Sequence, residues 1–129
     1  MGGHGALVCG IKESDKFESV SAFSPIVNPV NCPWGQKAFK GYLGDDETKW
    51  KDYDATELIK SGKKAKSKIL IDQGTADEFL KKELLTQKFE EVCGEGVADI
   101  NYREGYDHSY YFISTFLKGH IEFHLSHLE

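Results

Sequence analysis

Residues Lys68-Ile69-Leu70-Ile71-Asp72, closed by Gln73-Gly74, hold three consecutive large apolar side chains. Side chains in a strand alternate between faces, so an unbroken apolar run must be covered on both. That is the signature of a buried strand in a parallel sheet, and the residues downstream fit it. Phe79, Leu80, Leu84, Leu85, Phe89 and Val92 recur at spacings of three and four, which predicts one amphipathic helix ending near Gly94. Val97 to Tyr102 reads as a second strand, and Tyr110 to Leu128 as a closing helix with Phe112, Ile113, Phe116, Leu117 and Ile121 turned inward. Strand, helix, strand, helix in this order predicts an α/β fold: parallel strands, right-handed crossovers and flanking helices.

The first half is more irregular. Met1-Gly2-Gly3-His4-Gly5 reads as a glycine-rich turn leading into a buried helix over Ala6 to Ile11. Ser19 to Phe23 alternates at period two and stops at Ser24-Pro25, as a strand does where a residue cannot donate to the ladder. Asn28 to Gly44 mixes Pro, Gly and Asn with Trp34, Phe39 and Tyr42, which predicts a long loop with a short helix that lines a pocket. Asp54-Ala55-Thr56-Glu57 has the spacing of a capping box ahead of a short helix through Leu58 and Ile59.

A length of 129 residues suits one domain without an internal boundary, although α/β enzymes often need more chain to close a core and a site. With 40% hydrophobic and 12% aromatic residues the chain can bury enough surface to fold. Its net charge of −5 and single mixed basic run, Lys60 to Lys68, argue against a nucleic-acid partner. No apolar stretch is long enough for a membrane span, no secretory leader is read at the start, and Cys9, Cys32 and Cys93 form no disulfide framework. The expected setting is the cytoplasm.

In open α/β sheets the chemistry gathers on loops at the carboxyl ends of strands. Two loops qualify: Gln73-Gly74-Thr75-Ala76-Asp77, with a carboxylate, and Arg103-Glu104-Gly105-Tyr106-Asp107-His108-Ser109, with an imidazole. A buried carboxylate can hold an imidazole in one tautomer and stabilise its protonated form, so an acid and a base on successive loops suit proton transfer. Asp72 and Asp107 compete with Asp77 for the acid. Asp72 still belongs to the strand end, and Asp107 adjoins the histidine in sequence and is poorly placed to reach its ring. Spacing alone leaves all three open.

Longer segments bear on the choice. MGGHGAL resembles the continuation of the nucleophile elbow of the S-formylglutathione hydrolase (esterase D) family of α/β-hydrolases, in which a serine directly precedes the methionine. VSAFSPIVNPVNCPWGQKAF, GYLGDDETKWKDYDAT, ILIDQGTADEFL and EGYDHSYYFISTFLKGHIEFH resemble the same family in order and spacing. The resemblance implies the C-terminal half of an α/β-hydrolase fold over residues 1–129, with Asp77 as triad acid, His108 as general base and the Met1 backbone nitrogen as an oxyanion donor. It implies hydrolysis of the thioester S-formylglutathione to glutathione and formate, with no metal or other cofactor. The chain as written has the acid and base without the serine and is expected to be inactive alone.

Other residues take plainer readings. Trp34 is the candidate wall of an acyl pocket, set against ordinary core packing. His4 is expected to pack and hydrogen-bond rather than serve as a second base. Cys32, a loop cysteine without a basic neighbour, is expected to be inert. His120, His124 and His127 share a helix face but lack a carboxylate or thiolate to complete a metal site, so they read as a solvated or subunit-facing stripe compatible with a homodimer. Two alternatives to the thioesterase remain: a carboxylesterase of another α/β-hydrolase family, and a non-catalytic truncated interaction module.

Overall fold

The computed structural model describes residues 1–128. Its centre is a three-stranded parallel sheet in the order β1 (Ser21–Phe23), β2 (Ile69–Gly74), β3 (Ala98–Arg103). Ala22 lies opposite Ile71, and Ile71 opposite Ile100, so β2 is flanked on both sides. The continuous apolar run of β2 has the two covered faces it requires. Ile69 and Ile71 are fully buried with Leu7, Val8 and Ile11 of α1 (Gly2–Lys12). The same cluster takes in Leu58 and Phe89. Asp72 points the other way, toward the last helix.

Four further α-helices lie between β1 and β3. They are α2 (Pro33–Leu43), α3 (Glu47–Trp50) and α4 (Ala55–Lys60), then α5 (Thr86–Val92) after β2. Helix α6 (Tyr110–Ser126) closes the chain. The capping pattern at Asp54 holds: its carboxylate accepts from the Glu57 backbone N–H at 2.9 Å and starts α4. No helix among the described residues is long and apolar enough to cross a membrane.

Four expectations need correction. The opening glycines are helical from Gly2, because Gly3 packs against Pro25, where a side chain would collide, and so the helix meets the sheet closely. Asn28 to Gly44 is mostly ordered helix: Pro33 sits at the first helical position, where its missing N–H costs nothing, and the Cys32 thiol caps Gly35 N. The single helix expected over residues 79–92 is broken at Leu85, whose φ of 55° is left-handed. A π turn over Leu80–Leu84 precedes the break and α5 follows it. Finally, α6 ends at Ser126 and buries only Phe112 and His120, while Leu117 and Ile121 are exposed.

What turns α6 toward the sheet is polar. His120 Nε2 donates to Asp72 Oδ2 at 2.7 Å, and Ser21 Oγ lies 2.8 Å from His120 Nδ1. Ser21 also meets His124 Nε2 at 2.8 Å, and Ser19 meets His124 Nδ1 at 2.7 Å. Since Asp72 can only accept, neutral rings order the whole chain of donors from the Ser19 hydroxyl inward to the carboxylate. His120 and His124 are therefore a network packed against the sheet rather than a solvated stripe. Arg103 Nε completes the cover of Asp72 at 2.7 Å.

Burial, then the neighbouring His120 and His127, holds the His124 imidazole below its ordinary value. A depressed folded value means that the unfolded chain takes the proton more readily, so this part of the stability is present above the ordinary imidazole pKa of about 6.5 and is lost as pH falls below it. Denaturant midpoints of the protein carrying this chain should fall between pH 7 and pH 5, and His124→Gln should flatten that slope.

Candidate active site

The two loops singled out by the sequence lie side by side at the carboxyl ends of β2 and β3, joined by backbone bonds. Thr75 N donates to Arg103 O at 3.0 Å, Ala76 N to Tyr106 O at 3.0 Å, and Gly105 N to Thr75 Oγ1 at 2.9 Å. This depends on Gly74. A Cβ there would stand 2.1 Å from the Tyr106 carbonyl oxygen, a distance that backbone atoms cannot relieve. The bare α-carbon lets the acid-bearing and base-bearing loops share one register.

Across this joint His108 Nδ1 lies 2.8 Å from Asp77 Oδ2. The Asp77 side chain is fully buried, whereas the His108 side chain is 42% exposed. Asp77 Oδ1 accepts from Phe79 N at 2.9 Å, and Oδ2 also accepts from Gln73 Nε2 at 3.2 Å. An ionised carboxylate only accepts, so the neutral ring carries its proton on Nδ1 and leaves Nε2 unprotonated. Ser109 caps α6 through Phe112 N at 3.3 Å and fixes the exit of the base loop. The rival acids are placed elsewhere: Asp72 is engaged by His120 and Arg103, and Asp107 is exposed while the ring bonds Asp77.

Trp34 and Met1 line a second feature, an open and largely apolar cavity of about 440 Å³ that also touches His4, Phe39, Tyr42 and Tyr53. Met1 is 84% exposed at the start of α1, and its carbonyl accepts from Gly5 N at 3.0 Å. His4 Nε2–H donates to the Tyr53 carbonyl oxygen at 2.7 Å, since a carbonyl can only accept. His108 is not among the residues lining this cavity. Phe79 connects the two regions, with its ring 4.8 Å from Trp34 and 5.3 Å, edge to face, from His108.

The Trp34 end is held by buried carboxylates. Glu83, on the π turn, accepts from Trp34 N at 3.0 Å. Asp54 accepts from the Asn28 amide and from Val30 N, pinning the segment that enters α2, and burial raises its carboxyl above the ordinary value. Cys32 is buried and its thiol is pushed up to about 11, chiefly by burial, so it stays protonated and serves as a cap. Sequence reasoning missed Gln73, Glu83 and Thr86. Each stands beside other polar residues, Gln73 after Asp72, Glu83 after Lys82 and Thr86 before Gln87, so nothing local marks it as buried.

Over residues 1–123 the sequence matches the family described as "Putative esterase". It is 56% identical to S-formylglutathione hydrolase of Rattus norvegicus, over 99% of this chain and 46% of that protein. It is 53% identical to S-formylglutathione hydrolase of Arabidopsis thaliana, over 100% of this chain and 46% of that protein. A solved S-formylglutathione hydrolase from Agrobacterium tumefaciens has a TM-score of 0.92 at 43% identity, over 99% of this chain and 47% of that one. The chain thus spans about half the length of the curated relatives it matches.

The loop joint gives a direct test. Gly74→Ala should destabilise the protein carrying this chain by roughly 1–3 kcal/mol, the usual cost of forcing an extra carbon into packed surroundings. Urea unfolding measures it, and an unchanged midpoint would mean that the loops do not need the close approach.

Proposed function

The chain belongs to that esterase family, and on this premise we propose that it supplies the acid and base of a serine hydrolase converting S-formylglutathione and water to glutathione and formate. The observation that carries the reading is the 2.8 Å bond between Asp77 and His108 on adjoining strand-end loops. The names of the relatives supply the substrate.

In this mechanism the nucleophile is a serine from the part of the relatives' length that this chain does not match. His108 Nε2 takes the serine proton as Oγ bonds to the formyl carbon, and the carbonyl electron pair moves onto oxygen. Asp77, through the Nδ1–H bond, keeps the ring oriented and stabilises the imidazolium. The Met1 backbone N–H is one donor to the oxyanion. Collapse breaks the C–S bond, and His108 delivers its proton to the departing sulfur of glutathione. Water then repeats the attack on the formyl-enzyme, giving its proton to His108, and formate leaves as the serine regains a proton. Trp34 walls the acyl side. The chemistry requires no partner beyond the thioester and water, and three free thiols at Cys9, Cys32 and Cys93 suit a cytoplasmic setting.

One observation favours a second reading. The cavity beside Trp34 is much larger than a formyl group, which suits a carboxylesterase of longer acyl groups. Both readings are tested on one protein: this chain joined to the part of the rat relative that it does not match. The thioesterase reading expects rapid loss of the thioester ultraviolet absorbance, with kcat/KM for S-formylglutathione well above that for aryl acetates. His108→Ala and Asp77→Asn should each lower kcat by a factor on the order of 10⁴, the scale seen when a triad loses a member. A joined protein that folds yet prefers aryl esters would move the assignment to the second reading, and full activity in His108→Ala would end both.

A further inference from the structure

Asp77 has a second buried partner besides its histidine. Gln73 is completely buried on β2, four residues before the carboxylate. One end of its amide lies 3.2 Å from Asp77 Oδ2 and 3.1 Å from the Gly74 carbonyl oxygen. The other end lies 3.1 Å from the hydroxyl of Thr86, itself fully buried at the start of α5. A carboxylate and a carbonyl can only accept, so the end facing them is the NH₂ group, and the Thr86 hydroxyl donates to the amide oxygen. No other orientation satisfies all three neighbours.

The surroundings make this amide costly to place. Gln73 follows Ile69 and Ile71 on the same face of the strand, where apolar packing would be the default. A buried amide is tolerated only when its donors and acceptor are satisfied. Thr86 reaches it because the chain turns through the left-handed Leu85, a conformation that disfavours any residue with a branched or bulky side chain. Two unfavourable features, a polar group in the core and a left-handed leucine, thus converge on one carboxylate oxygen. It is the same oxygen that accepts from His108.

We propose that Gln73, locked by Thr86, is a positioning residue that sets how strongly Asp77 binds and charges the His108 ring. The inference rests on the reading of Asp77 and His108 as acid and base. The amide donor draws electron density from Oδ2 and fixes the carboxylate plane. Its loss leaves Asp77 with the Phe79 N–H and His108 as donors, so the carboxylate becomes a stronger partner for an imidazolium. His108 then holds its proton to higher pH, while the carboxylate gains freedom to turn from the ring.

The test uses the joined hydrolase and follows kcat/KM against pH. Gln73→Leu should move the acid limb to higher pH, by about half a unit or more. It should also lower the plateau by roughly ten- to a hundred-fold, the scale of a hydrogen bond to a charged group. Thr86→Val, which leaves the amide in place but frees it to rotate, should shift the limb in the same direction by less. Gln73→Glu can restore the donor only while its own carboxyl is protonated, so its activity should be confined to the acid side. A second readout is independent of turnover: the His108 ring titration followed by NMR in Thr86→Val, which needs only a folded protein. Should both Gln73→Leu and Thr86→Val lower activity with the acid limb unmoved or moved downward, Gln73 is merely structural and the proposal is overturned. An unmoved ring titration in Thr86→Val would overturn it equally. Failure of the underlying reading looks different: His108→Ala would then remain active whatever happens at Gln73.

Discussion

The carbonyl oxygen of Tyr106 occupies the space where any side chain on residue 74 would begin, and from that contact the geometry of the site follows. Two loops from neighbouring parallel strands approach closely enough for Thr75, Ala76 and Gly105 to bond across the gap. Asp77 and His108, separated by 31 positions, are thereby brought to 2.8 Å. Parallel pairing alone would bring the strand ends near each other. The glycine is what turns nearness into a hydrogen bond.

Strand β2 supports this joint from both faces. Asp72 and Gln73 are adjacent, so their side chains point to opposite sides of the sheet. Asp72 anchors α6 through His120, which steadies the helix that follows the base loop. Gln73 reaches Asp77 itself and ties it to α5 through Thr86. Both residues are buried and polar in a strand that otherwise fills with isoleucine and leucine, so each incurs desolvation that its partners must offset. Buried polar groups gather at this strand end and again at the entry to α2, where Asn28, Asp54 and Glu83 hold the chain. Elsewhere the core is conventional, with α1, α4 and α5 packing apolar faces on the sheet.

What could be read from the sequence was governed by locality. The run Ile69 to Ile71 declared a buried parallel strand because an apolar stretch that short and without alternation, closed by Gln-Gly, suits little else, and the order of strands and helices followed. Asp77 and His108 could be chosen because strand ends are where open sheets place chemistry, and because longer segments resembled a known family. The break at Leu85 was illegible: leucine carries no preference for a left-handed backbone, and the apolar spacing runs through the break undisturbed. The closing helix was misread because its inward side is set by His120, whose serine and aspartate partners lie 99 and 48 positions away. Periodicity counts apolar residues and is blind to a helix oriented by a buried polar chain. Gln73 escaped for the same reason, since nothing local distinguishes a buried amide from a strand-ending one.

The central claim is that Asp77 fixes His108 as the tautomer protonated on Nδ1, leaving Nε2 as the base. The most direct measurement is the ¹⁵N spectrum of the His108 ring, at a pH where it is neutral, in the folded protein carrying this chain. The expected result is a nitrogen pattern dominated by the Nδ1–H form, reverting toward the averaged pattern of a free imidazole in Asp77→Ala. A ring already protonated on Nε2, or one whose tautomers average equally with Asp77 present, would contradict it.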